Sequence, residues 1–201
     1  FSTDFESGLP TEFSGGTTIQ GTQGFSSLPG FDSNFYRNVN GPDVAVLKLT
    51  GLQDHTSISL SFLLAIIDSW DGSVHNDRFN VSIDGIINPI FSEQFAIASG
   101  TQTYLGPKMS ATTHRGFWTA YPEDAYEMSL DNIAHTGTDL TIRFFGSGLQ
   151  AISDESWAID QVEVKLNGIT VITPVPEPST MLLLATGLLG LIGYGRRKAS
   201  A

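Results

Sequence analysis

Five glutamates, Glu6, Glu93, Glu123, Glu127 and Glu155, have the chemistry for general acid–base work. Glycoside hydrolysis needs two carboxylates about 5 to 10 Å apart across a cleft. These five could supply a pair, but no spacing singles one out, and each reads better as a solvated strand or loop carboxylate. Nucleophilic catalysis has less support still. The chain has no cysteine and no Gly-x-Ser-x-Gly elbow. His55, His75, His114 and His135 stand isolated in the sequence, without the His-Glu-x-x-His spacing of a zinc site. His55, just ahead of a strand, reads as a turn residue. No catalytic residue is assigned, and a non-enzymatic protein is expected.

Sugar binding is the other chemistry on offer. Aromatic rings stack on sugar faces, and Trp70, Trp118, Tyr121 and Tyr126 fall in or near expected loops. The densest group runs from His114 to Tyr121. Trp70 and Trp157 sit at strand ends, where such rings close the core of a sandwich. Trp118 and Tyr121 remain as candidate glycan contacts, with core positions the equal alternative. A second signal is Asp160. In the closing strand Ala158, Val162, Val164 and Leu166 share one face, and Asp160 has their parity. A bare carboxylate on an apolar face is destabilising, so it needs a metal ion, a backbone N–H or a place at the rim. Asp68, Asp71 and Asp77 form another acidic group. Its spacing is not that of an EF-hand, and it reads as a solvated loop.

The elements that must position these residues are strands. Val44 to Thr50 puts Ala45, Leu47 and Leu49 on one face, and Ile58, Leu60 and Phe62 alternate strictly with serines. Leu63 to Ile67 continue as an unbroken apolar run, as for a strand buried on both faces. Phe79, Val81 and Ile83 alternate again before Asp84-Gly85, a tight-turn pair followed by Ile86-Ile87, which predicts a hairpin. Leu140 to Phe144 and Val162 to Leu166 are further strands. Turn signals stand at Gly41-Pro42, Trp70-Asp71-Gly72 and Gly146-Ser147-Gly148. Short strands separated by such turns predict an all-β ectodomain over residues 1–168, a jelly-roll-like β-sandwich. Residues 169–178 read as a linker.

The C-terminus differs. Pro178 to Gly195 carry no charge. At about 1.5 Å per residue they span roughly 27 Å, against a bilayer core of about 30 Å. Residues 179–201 are therefore predicted to form a single transmembrane helix with a basic tail. Arg196, Arg197 and Lys198 form a stop that stays on the cytoplasmic side, which puts residues 1–173 outside. That requires export, and the start at Phe1 reads as a chain whose signal peptide has been removed. Without Glu177 and the three basic tail residues, the chain's 10 basic and 21 acidic residues become 7 and 20. A charge of −13 on residues 1–173 argues against nucleic acid as a partner.

Val175-Pro176-Glu177-Pro178-Ser179-Thr180, followed by an apolar span and Arg196-Arg197-Lys198, resembles a PEP-CTERM sorting signal over residues 174–201. The resemblance implies recognition of Pro176, Glu177 and Pro178 by exosortase, a membrane-embedded transpeptidase-type protease of polysaccharide-producing bacteria. The prolines keep this stretch extended and outside the helix, as a protease needs. A second resemblance lies in Asp4-Phe5-Glu6-Ser7-Gly8-Leu9-Pro10, Ile67 to Gly72 and Asp154 to Asp160, which are similar to segments of exported jelly-roll and carbohydrate-binding domains. Such folds often hold a structural calcium between first and last strands. On that pattern Glu6 and Asp160 are the expected ligands and calcium the expected cofactor. The combined expectation is a non-enzymatic cell-surface or extracellular-matrix protein, with exosortase and membrane lipid as partners. The alternative is a carbohydrate-binding module for extracellular polysaccharide. A glycan-acting enzyme is a third reading without an assigned site.

Overall fold

The structure, a computed structural model, describes residues 1–84, 88–117 and 120–168. Its strands are β1 (Ser2–Thr3), β2 (Phe13–Gly15), β3 (Thr17–Gly21), β4 (Asn34–Asn38), β5 (Val44–Leu49), β6 (Ser57–Asp68), β7 (Arg78–Ile83), β8 (Phe91–Gln94), β9 (Asp124–Ala134), β10 (Leu140–Ser147) and β11 (Glu155–Asn167). A 3₁₀ turn at Gln23–Ser27 is the one helical segment among the described residues. The strands form two antiparallel sheets. One has the order β3-β4-β11-β6-β9, with β1 also paired to β11; the other has the order β2-β5-β10-β7-β8. The all-β sandwich expected from the alternation is therefore the fold. The expected linker (169–178) and transmembrane helix (179–201) lie outside the described residues, and no helix among those described is long and apolar enough to cross a membrane.

The period-two faces point inward as read from the sequence. Ala45, Leu47 and Leu49 of β5, Ile58, Leu60 and Phe62 of β6, and Leu140, Ile142 and Phe144 of β10 are all buried between the sheets. Rings lock the two layers together: Phe144 meets Phe62 edge-on at 5.2 Å, and Phe79 meets Trp157 at 5.3 Å. Each such side chain, moved from water to the core, contributes roughly 1.5 to 3 kcal/mol.

Leu63 to Ile67 are buried on both faces. The reason lies in the segment between β3 and β4. Phe25, Leu28 and Phe31 fold over the outer face of the first sheet, joined by Phe35, and pack on Leu63, Ala65 and Ile67. The polar outer face of an ordinary sandwich is thus replaced here by a second apolar layer.

The hairpin expected after β7 is present, but the tight turn at Asp84-Gly85 needs correction. The partner of β7 is β8, with Val81 opposite Phe91, so residues 82–90 connect the paired ends rather than a two-residue turn. Ile86 and Ile87 lie outside the described residues. Asp84 instead ties two segments: its carboxylate accepts the Thr141 N–H at 2.8 Å and lies 2.9 Å from His135 Nε2.

Candidate functional site

The closing strand β11 carries the central irregularity. On one edge it pairs with β4 up to Ile159, and with β1 from Val162 onward. On the other edge its register with β6 shifts between Asp160 and Glu163. Gln161 sits in the bulge with φ +48°. A bulge adds a residue and reverses the alternation beyond it. Trp157, Ile159, Val162 and Val164 consequently all face the space between the sheets, and Ala158 packs into the outer apolar layer. The parity reading of Asp160 is corrected accordingly: it does not share a face with Val162 and Val164. It lies at the handover between β4 and β1, fully buried.

That handover brings the first residues of the chain to Asp160. β1 pairs Thr3 with Val162, and Phe5, at φ +56°, buries its ring against Tyr36 at 5.3 Å. Asp4 and Glu6 flank this anchor. Glu6 accepts the Asn34 N–H at 2.6 Å and the Asn34 amide at 3.3 Å, and its own N–H donates to Asp4 at 3.1 Å. Asp160 Oδ1 accepts the Gln161 N–H at 2.7 Å, whereas its buried Oδ2 has no hydrogen-bond partner. Burial pushes the Asp160 carboxyl up to about 8, against the pull of the Gln161 N–H, and the negative charges of Glu6, Asp32 and Asp4 add to the rise. None of these four acids makes an ion pair among the described residues. The charge of Glu6 thus reaches Asp160, whose buried Oδ2 is orphaned, but among the described residues three carboxylate oxygens converge within 4.8 Å only at Asp71, Asp77 and Glu155.

Beside the cluster runs a groove of about 500 Å³, lined by Ser2, Thr3, Asp4, Ser61, Glu127, Gln161 and Glu163 among others. Its walls carry hydroxyls, an amide and carboxylates beside the buried Phe62, Leu63 and Val162, and no exposed aromatic ring lines it.

The second acidic group is not the solvated loop expected. Asp68 and Asp77 are buried, and Asp77 meets Glu155, also buried, with one carboxylate oxygen each from Asp71, Asp77 and Glu155 within 4.8 Å of one another. Burial and the neighbouring Asp77 charge push Glu155 up to about 7, while bonds from Gln150 oppose the rise. Asp68 is pushed up to about 7 by burial first and by the charges of Glu123 and Asp154, with Arg37 opposing. Glu123 itself is satisfied by the backbone N–H groups of Arg115 and Phe117. Of the five candidate acid–base glutamates, Glu127 is exposed, Glu6 and Glu93 are half-buried, and Glu123 and Glu155 are fully buried. The acids around Glu155 do not line the groove at β11 or those beside Leu166 and Thr22.

Two of the histidines, isolated in sequence, meet in space. His55 Nε2 lies 2.7 Å from His135 Nδ1, and the outer nitrogens face Gln53 O at 2.6 Å and Asp84 Oδ2 at 2.9 Å. Every ring nitrogen is engaged, so the pair is a closed bridge between loops without an open ligand position. His55 is more than a turn residue. Trp70 and Trp157 are core rings, as expected, and Trp70 Nε1 donates to Ser156 O at 2.9 Å. Tyr126 is also core, in strand β9 rather than a loop, packed on Phe95 at 5.0 Å. Tyr121 is half-buried, and Trp118 lies outside the described residues. The sorting residues Pro176, Glu177 and Pro178 and the stop Arg196, Arg197 and Lys198 also lie outside them.

The bulge and the Asp77–Glu155 meeting were missed by sequence reasoning. The available signal for the bulge was the break in alternation between Ile159 and Val162, both apolar and three apart.

No curated protein matches this sequence. Among solved structures, the K2 cleaved adhesin domain of Lys-gingipain is similar, with a TM-score of 0.51 and 16% identity, over 83% of this chain and 98% of that one. TmCBM61, solved in complex with beta-1,4-galactotriose, has a TM-score of 0.48 and 8% identity over 82% and 95%. The CBM22-1 xylan-binding domain from Paenibacillus barcinonensis Xyn10C has 0.44 and 9% over 83% and 92%. At these identities the likeness to the adhesin domain is one of fold alone. Residues 174–198 match the family described as the PEP-CTERM protein-sorting motif. The chain is therefore an all-β sandwich followed by a PEP-CTERM sorting motif.

Proposed function

We propose that this chain is an exported, non-enzymatic β-sandwich displayed at the cell surface or in the surrounding polysaccharide matrix, and that exosortase processes its C-terminal tail. The carrying observation is the sorting motif at residues 174–198, placed after a folded sandwich. In this reading Pro178 to Gly195 cross the lipid transiently, Arg196, Arg197 and Lys198 hold the cytoplasmic end, and Pro176-Glu177-Pro178 are presented outside. The acidic balance of residues 1–173 supports solubility there. The sandwich is a jelly roll, clasped by calcium at Glu6 and Asp160; the orphaned Asp160 oxygen supports that assignment. The ion ties the residues after β1 to the closing strand and has no part in catalysis. Fractionation of cells with and without exosortase tests the reading. Surface or released protein should be replaced by membrane-retained precursor when the protease is missing; identical distributions would sink it.

One observation favours a second reading, binding of extracellular polysaccharide. The groove at β11 carries the hydroxyls, amide and carboxylates that hydrogen-bond sugar hydroxyls. Tyr121 and Trp118 remain the ring candidates. A glycan array probed with wild-type protein and with Glu127→Ala separates the readings: the loss of a glycan signal in the variant supports binding, and silence of the wild-type protein removes it.

A further inference from the structure

We propose that Asp71, Asp77 and Glu155 bind a hard divalent cation, with calcium the fitting ion, at a site independent of Glu6 and Asp160. Three carboxylate oxygens lie within 4.8 Å of one another. Oxygens on opposite sides of a calcium ion, each at about 2.3 to 2.6 Å, stand at most about 5 Å apart, so the three reach a common centre. The acids come from two places in the chain that the fold joins: the loop between β6 and β7, and the first residue of β11.

The second observation is Asp77 itself. It is fully buried, its Oδ2 accepts the Asp71 N–H at 2.5 Å, and its buried Oδ1 has no hydrogen-bond partner. Its carboxyl lies against that of Glu155, equally buried. Two apposed buried carboxylates with an orphaned oxygen are strongly destabilising unless a positive charge joins them. Among the described residues, the one basic side chain paired with the group is that of His75, which reaches Asp71 at 2.9 Å from an exposed position. No lysine or arginine among the described residues forms an ion pair with the buried pair. Gln150 completes the arrangement. Its backbone N–H holds Glu155 at 2.6 Å, but its side-chain amide makes long contacts of 3.4 Å to Glu155 and 3.5 Å to Asp71. An amide held so loosely can turn its oxygen to a metal, giving a fourth protein ligand, with water filling the shell. Bound there, the ion pins the Asp71–Asp77 loop to the closing strand and sets the order of that end of the sandwich.

The test uses the full 201-residue chain in mild detergent, carrying Asp160→Asn to silence the other proposed site. Terbium is titrated and read by luminescence sensitised by Trp70, the neighbour of Asp71, and then displaced with calcium. Equilibrium dialysis with calcium alone gives the stoichiometry. One ion per chain is expected, with Asp77→Asn and Glu155→Gln each weakening binding at least tenfold and magnesium competing at least tenfold less well than calcium. Circular dichroism confirms that the isosteric variants fold; dialysis of the parent chain decides the matter where one does not. No bound ion in the parent chain, or undiminished binding in both folded variants, overturns the proposal and leaves Asp77 and Glu155 as a pair sharing a proton.

Discussion

Replacing Asp160 by asparagine keeps the shape of the side chain and its bond from the Gln161 N–H, and exchanges the charged second oxygen for a neutral NH₂. In the folded protein burial, with the charges of Glu6, Asp32 and Asp4, raises this carboxyl from 3.8 to about 8. Because the folded value is raised, the group's stabilising contribution is complete below about 4 and lost as the pH climbs toward 8. Once the carboxyl is ionised in both states, this difference corresponds to a cost on the order of 5 kcal/mol. In chelator at pH 8.5, Asp160→Asn is therefore more stable than wild type. For a domain of this size each 1 kcal/mol moves the melting point by about 2 to 4 °C, so a rise on the order of 10 °C is expected. Calcium should narrow this gap by roughly half without reversing it. The wild type gains about 2.7 kcal/mol at a hundredfold excess of calcium over its dissociation constant, and the variant gains less. Melting curves in chelator and in calcium give all four values. A variant that is less stable than wild type in chelator, with its calcium response unchanged, would refute the reasoning; Asp160 would then be a backbone cap whose charge is well solvated.

Three further outcomes are expected. Phe144→Ala, which removes the ring packed edge-on against Phe62, should cost about 3 to 5 kcal/mol in urea denaturation; a loss below about 1 kcal/mol would mean that the two sheets are not joined there. Asp68 is raised to about 7, so in chelator its contribution is lost between about pH 4 and 7 and stability should fall with rising pH across that window; Asp68→Asn should flatten that part of the profile, and an unchanged profile would contradict the burial argument. A chain ending at Gly168 should be soluble and β-rich by circular dichroism, since every described strand ends by Asn167; a helix-dominated spectrum or aggregation would count against a self-sufficient sandwich.

Where side chains alternate strictly, the sequence announced the strand and its inward face: Ile58, Leu60 and Phe62 needed no further information. The same held for the apolar run from Leu63 to Ile67, although what covers its outer face did not show. Phe25 and Phe31 stand in a segment without strand periodicity, and their role follows from where the chain crosses the sheet. Strand β9 was harder to see, because Tyr126, Met128 and Leu130 alternate with Glu127, Ser129 and Asp131 at a sheet edge where charge is tolerated. The acidic cluster was half legible. The resemblance pointed to Glu6 and Asp160, but the parity argument placed Asp160 on the wrong face, since one bulge residue reverses the alternation. Asp77 and Glu155 could not be paired from sequence at all. They stand far apart in the chain, and only the fold brings the two carboxylates together. The same is true of His55 and His135, 80 residues apart and 2.7 Å from contact to contact.

The central claim, an exported sandwich delivered by a sorting tail, is tested most directly at the C-terminus of the mature protein. Mass spectrometry of protein recovered from the cell surface or medium should find a chain that ends between Pro176 and Thr180. A surface protein that still ends in the intact Arg196-Arg197-Lys198 segment would contradict processing and leave the apolar run as a permanent anchor.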